Sequence, residues 1–277
     1  MADSNNMSDL WKRLRFVLIG IIVYRIGTHI PIPGIDPQRL SSLFDQNQGT
    51  ILELFNLFSG GALERMSIFA LNVVPYISAA IIMQLFSNSI PYLIELKKDG
   101  QAGRNAITQY TRYGTVLLAF IQASALAVTL SSGGLAYNPG TAFFVSAVFS
   151  VVAGTIFLMW LGEQISERGI GNGISIIIAT SILTGIPSAI GQALEQARQG
   201  DLNILMLLSI GVLAMVVIAV VVFIERGQRR ITVNYAQRQQ GRKLMQAQAS
   251  HLPFKVNMAG VIPAIFASTF LLFPASL

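Results

Sequence analysis

Five stretches of this chain contain no charged side chain, and one of them, Tyr113 to Gly162, runs for 50 residues. The others are Met66–Ile94, Gly169–Leu194, Leu202–Ile224 and Val256 to the end. A bilayer crossing needs roughly 20 mostly apolar residues in a helix. Water-facing surface requires polar side chains, so such runs do not suit a soluble bundle. The longest run holds two spans around Ser131-Ser132-Gly133-Gly134. With Phe16–Ile30 added, the pattern predicts seven crossings, near 15–30, 67–86, 113–130, 141–162, 173–190, 203–224 and from 256 onward. The fold class this predicts is an all-α integral membrane protein, a multi-spanning helical bundle.

Threading the runs across in turn puts 15 of the 19 Lys and Arg residues on one side. Excess Lys and Arg in short loops marks the cytoplasmic face, so the N-terminus is expected in the cytoplasm. That asymmetry accounts for most of the net charge of +6. Without cysteine there is no disulfide, thiolate metal site or Cys nucleophile. His29 and His251 are too few and too far apart in sequence to suggest a metal centre. The first apolar run has a signal peptide's basic flank. Pro31-Ile32-Pro33-Gly34-Ile35-Asp36 follows it without a small-x-small cleavage site, so a retained helix is expected.

The expected spans carry no Asp, Glu, Lys or His near their middles. Coupled transporters place ionisable groups there for function, which argues against that class. Gly169-Ile170-Gly171-Asn172-Gly173 follows a membrane helix rather than a strand and lacks a nucleotide loop's Lys-Ser/Thr ending, so it reads as a tight turn. No residue set suggests an enzyme or a cofactor site. Aliphatic bulk is what the spans offer: Ile77 and Ile81, like Ile174 and Ile178, stand one helical turn apart. Branched at Cβ and stiff at χ1, these residues suit a collar of defined bore as well as ordinary helix packing.

Three further features carry information. Thr50 to Phe58 is apolar but too short to cross, and Ser59-Gly60-Gly61 ends it. It fits a half-length helix buried at membrane depth or an interfacial helix lying flat. Val74-Pro75-Tyr76-Ile77-Ser78-Ala79 echoes Ile262-Pro263-Ala264-Ile265-Phe266-Ala267, five spans later and in the opposite direction, as an inverted repeat would. Glu225 to Lys243 carries six basic residues against one acid, alternating with Ile231, Val233 and Tyr235, like a hairpin presenting Arg to an anionic partner.

Seven strings together resemble the SecY family, the channel-forming subunits of bacterial Sec protein translocons. They are Ile30-Pro31-Ile32-Pro33-Gly34-Ile35-Asp36, Phe58-Ser59-Gly60-Gly61-Ala62-Leu63, Gln109-Tyr110-Thr111-Arg112-Tyr113-Gly114, Trp160-Leu161-Gly162-Glu163-Gln164-Ile165, Gly169-Ile170-Gly171-Asn172-Gly173-Ile174-Ser175, Glu225-Arg226-Gly227-Gln228-Arg229-Arg230 and Val256-Asn257-Met258-Ala259-Gly260-Val261-Ile262-Pro263. They occur in the family's order and cover nearly the whole chain.

The resemblance implies a protein-conducting channel for secretory and membrane proteins, an hourglass pore in the inner membrane between two five-helix halves. It implies a pore ring at Val73, Ile77, Ile174, Ile178 and Ile265, with Val73 in place of the more common isoleucine. It implies a plug at about 50–65, including Leu54, Phe55, Phe58, Ser59, Gly60 and Gly61. Ser78, Gln84 and Asn257 would be the polar residues of a lateral gate through which signal sequences reach lipid. Arg229, Arg230, Arg238, Arg242 and Lys243 would dock the ribosome or the SecA motor, and SecE, SecG and the translocating polypeptide complete the implied partners. Residues 1–190 would form the first half, and 203–277 the start of the second, with the basic hairpin at 225–255. The family has ten helices and this sequence reaches the seventh, so one ring position and three spans are expected elsewhere. An inverted-repeat small-solute transporter is the alternative, and it would require a polar midplane site.

Overall fold

The computed structural model describes residues 3–36, 40, 61–199, 204–233, 239–240, 243–244, 250–255 and 257. They fall into two compact units, one reaching Ala189 and one starting at Ile190. Ile265, the repeat of the Pro-x-Ile echo, the expected seventh span and Leu54 to Gly60 lie outside the described residues, as do Arg238 and Arg242.

The first unit is helical. Helix α1 covers Asp3–Gly27, α2 Val74–Ser89, α3 Pro91–Lys98, α4 Gln101–Ser132, α5 Thr141–Arg168, and α6 starts at Gly173 and runs on to Gln199. Among the described residues four helical stretches are long and apolar enough to cross a membrane: Gln101–Ser132, Thr141–Arg168, Gly173–Glu195 and Leu208–Arg226. A bent pair, α2 with α3, makes a fifth if it counts as one broken span.

Two expected spans therefore differ from the sequence pattern. Helix α1 begins earlier than predicted and takes in Lys12, Arg13 and Arg15, leaving only its last part apolar. The expected second span, from Ser67, is helical only from Val74. The stretch before it turns repeatedly, with left-handed backbone at Met66 (φ 42°) and Asn72 (φ 48°), which a helix excludes. Pro75 sits in the first turn of α2, where its missing N–H goes unmissed. Pro91 holds Ile90 extended (φ −91°, ψ 121°), which ends α2 and turns α3 by 94°.

The remaining helices pack through small residues. Helix α4 buries Thr111, Thr115, Ala119, Ala123 and Ala127 along one stripe at a spacing of four, and lies against α2 and α5. Close backbone approach is how helices associate where lipid removes the hydrophobic driving force. The Thr111, Thr115 and Thr155 hydroxyls donate to carbonyls one turn back, which satisfies them inside hydrocarbon. The segment Ile30–Asp36 threads past Met66 and Ile68 on one side (Ile32 N–H to Met66 O 2.8 Å) and Leu135 on the other (Asp36 N–H to Leu135 O 2.9 Å).

In the second unit α7 (Ile204–Arg226) is followed by a two-stranded antiparallel ribbon, β1 (Gln228–Val233) against β4 (Ser250–Lys255). A shorter pair, β2 (Gln239–Gln240) and β3 (Lys243–Leu244), lies between them in sequence. This ribbon lies within 225–255, the stretch where the sequence pattern led to the expectation of a basic hairpin.

Candidate functional site

The candidate ring residues are positioned by two local devices. Val73 is the residue before α2, and the Ile77 N–H donates back to its carbonyl at 3.0 Å, which sets the two side chains one turn apart. Ile174 and Ile178 stand in the first two turns of α6, and the glycine-rich turn before them fixes where that helix starts. There Asn172 Oδ1 accepts from the N–H groups of Ile174 (3.0 Å) and Ser175 (3.3 Å), capping the helix. Ser166 Oγ accepts from the Gly173 N–H at 2.8 Å, tying the turn to α5. A Cβ on Gly173 would collide with the Gly162 carbonyl, and one on Gly162 with Ile174 Cδ1. Glycine at both places lets the end of α5 and the start of α6 touch.

These devices bring four of the five ring candidates to one apolar cluster. Val73, only 2% exposed, belongs to a core with Tyr24, Phe69, Leu158, Ile165 and Ile177. Ile77, Ile174 and Ile178 are half-buried and pack on that core. Ile81, noted in sequence as one turn from Ile77, is buried in α2.

The other candidates are placed as follows. Gly61 stands at a left-handed turn (φ 78°) and is followed by the fully buried Ala62. Ser78 donates its hydroxyl to Val74 O at 3.0 Å within its own helix. Gln84 is exposed on α2, and its backbone carbonyl accepts from Ser87 Oγ at 2.8 Å. Asn257, in the second unit, donates from Nδ2 to Glu225 Oε1 at 2.7 Å. Arg229 and Arg230 are exposed on β1 opposite Phe254 and Pro253. Successive strand residues point to opposite faces. One face of the ribbon therefore carries Arg229, Ile231, Leu252 and Phe254, and the other Gln228, Arg230, Pro253 and Lys255. Lys243 stands on β3, paired with Gln240.

Two polar groupings went unread in the sequence. Arg112 grips Glu163 in a bidentate pair, Nε to Oε1 and Nη2 to Oε2, both 2.8 Å. Opposite charges at the start of one span and the end of its antiparallel neighbour were the available signal. The second grouping joins Tyr24, Asn72 and Ser181, all buried. Three polar side chains in otherwise apolar segments have few partners to choose from.

The SecY family model matches residues 67–277. The chain belongs to the SecY family. It is 64% identical over 275 residues to the protein translocase subunit SecY of Pseudomonas aeruginosa, covering 99% of this chain and 62% of that protein. It is 59% identical over 280 residues to SecY of Escherichia coli K12, covering 100% of this chain and 63% of that one. The chain thus spans under two thirds of the length of these SecY relatives. Solved channels share its fold: a protein-conducting channel at TM-score 0.68 and 20% identity (94% of this chain, 56% of that one). Sec61 in the canine ribosome–channel complex from the endoplasmic reticulum matches at TM-score 0.67 and 19% identity (94% and 56%). A further match, at TM-score 0.68 and 21% identity (96% and 57%), comes from a study of the SecY plug domain as a stabiliser of the closed channel and its membrane seal.

Proposed function

We propose that this chain forms part of a protein-conducting channel in the inner membrane, with its N-terminus in the cytoplasm. Val73, Ile77, Ile174 and Ile178, joined by Ile265, act as a gasket of branched side chains around a translocating polypeptide. The observation that carries this reading is the convergence of those first four residues, from two elements about 100 positions apart in sequence, on one apolar cluster. A short apolar collar offers an unfolded chain little to bind, so polypeptide slides while ions meet a dehydrated barrier.

Leu54, Phe55, Phe58, Ser59, Gly60 and Gly61 serve as the plug. Ser78, Gln84 and Asn257 line the lateral gate, where interhelical hydrogen bonds of roughly 0.6–2 kcal/mol are strong enough to hold and weak enough for a signal sequence to displace. The ribbon, with Arg229, Arg230, Arg238, Arg242 and Lys243, docks an anionic surface of the ribosome or of SecA, and SecE and SecG complete the assembly. The chain supplies a conduit and not catalysis, and the driving force comes from those partners. Residues 1–190 and 203–277 then belong to successive halves of the inverted repeat.

The deciding experiment replaces Ile174 and Ile178 by Gly in the full-length protein, assembled with its partners in planar bilayers. Resting ion conductance should rise severalfold. Unchanged conductance would remove the gasket.

A further inference from the structure

Beside the candidate ring the structure buries three polar side chains against one another. Tyr24 comes from α1, Asn72 from the turns ahead of α2 and Ser181 from α6, with exposures of 1%, 2% and 0%. The Ser181 hydroxyl donates to the Ile177 carbonyl at 2.9 Å, which uses its one proton. In the 2.6 Å contact between Tyr24 Oη and Ser181 Oγ the tyrosine is therefore the donor. Asn72 Nδ2 donates to the same serine oxygen at 3.1 Å. Ser181 Oγ thus gives its proton and fills both lone pairs. The Tyr24 ring also stacks parallel on Phe69, centroids 6.0 Å apart, so α1 holds the Asn72 segment at two points.

The location of this node matters more than its strength. Asn72 is the neighbour of Val73, and its left-handed backbone (φ 48°) turns the chain into α2. Ser181 lies three residues after Ile178 and seven after Ile174, on the same side of α6. One serine oxygen thereby links the two elements that carry Val73, Ile174 and Ile178, and roots both on α1. Aliphatic contacts are non-directional and tolerate sliding, whereas hydrogen bonds hold distance and angle. In hydrocarbon the three groups have no water to turn to, so parting them is costly.

We infer that Tyr24, Asn72 and Ser181 are positioning residues that hold the constriction at its resting bore. The inference rests on the gasket reading above. Widening the ring by moving α6 away from the Asn72 segment breaks the node, so its bonds bias the closed state.

The test uses the full-length protein assembled with its partners in planar bilayers, with resting ion conductance and thermal unfolding measured side by side. Tyr24→Phe, Asn72→Gly and Ser181→Ala should each raise the leak roughly threefold to tenfold, as expected for one intramembrane hydrogen bond. The Tyr24→Phe/Ser181→Ala double variant should leak less than the product of the two single effects, because the two substitutions share the Tyr24–Ser181 bond. Asn72→Gly keeps the left-handed backbone without strain, so it decides the matter if another variant does not assemble. Parental conductance in the node variants, whatever their unfolding temperature, overturns the inference. Ile178→Gly separates the two readings. If it leaks while the node variants stay sealed, the node fails and the gasket stands; if neither leaks, both fall.

Discussion

Arg112 and Glu163 meet side on, through two parallel N–H···O bonds of 2.8 Å, a geometry that suits guanidinium and carboxylate and that lysine cannot reproduce. The side chains are 42% and 19% exposed, so the pair is neither fully wet nor sealed. Arg112→Lys should lower stability by about 1 kcal/mol, and raised salt should shrink the difference. Thermal unfolding in detergent at two ionic strengths checks this; equal stabilities would mean the two-bond geometry adds nothing over a single ion pair. In sequence Arg112 and Glu163 stood inside two separate motif strings, Arg112 also counting among the basic loop residues. Their pairing depends on the relative rotation of α4 and α5, and a linear pattern carries no rotation. Val73 is the opposite case, a ring candidate implied by the family resemblance without any geometry.

At the scale of elements, the turn between α5 and α6 is held by a cap, a serine and two glycines rather than by bulk. Gly173→Ala would force the α6 start away from the Gly162 carbonyl. It should destabilise by roughly 1–3 kcal/mol, as overpacking does. It should also displace Ile174, so leak and lowered melting should appear together. A melting loss without a leak would place the close contact outside the constriction. Asn172→Ala, which removes only the cap, should cost about 1 kcal/mol by the same melting assay. The glycine turn itself was readable from composition. The late start of α2 was not: uncharged residues from Met66 to Ile94 look alike to a hydropathy count. The left-handed backbone at Met66 and Asn72, in a stretch that the Ile30–Asp36 segment bonds at Met66 and Ile68, keeps the chain from being helical before Val74.

For the whole molecule, the ribbon presents basic groups on both faces, Arg229 on one with Ile231, Leu252 and Phe254, and Arg230 with Lys255 on the other. Charge reversal of Arg229, Arg230, Arg242 and Lys243 to Glu should weaken ribosome or SecA binding by tenfold or more at low salt, and flatten its salt dependence. Undiminished affinity at physiological salt would remove the docking role.

The amino-acid sequence by itself determined that the chain is a multi-spanning membrane protein and where its uncharged runs and basic loops lie. These depend on length and hydropathy alone, because lipid rejects charge and unpaired backbone whatever the fold around them. Family membership was also legible, through ordered strings of residues. The tertiary structure decided which side chains meet: four branched aliphatics on one cluster, a serine oxygen shared by tyrosine and asparagine, an arginine on a glutamate. Such meetings depend on helix rotation, on close approach at Gly162 and Gly173 and on a few left-handed residues. Each is set by three-dimensional packing between segments remote in sequence, which no local pattern encodes.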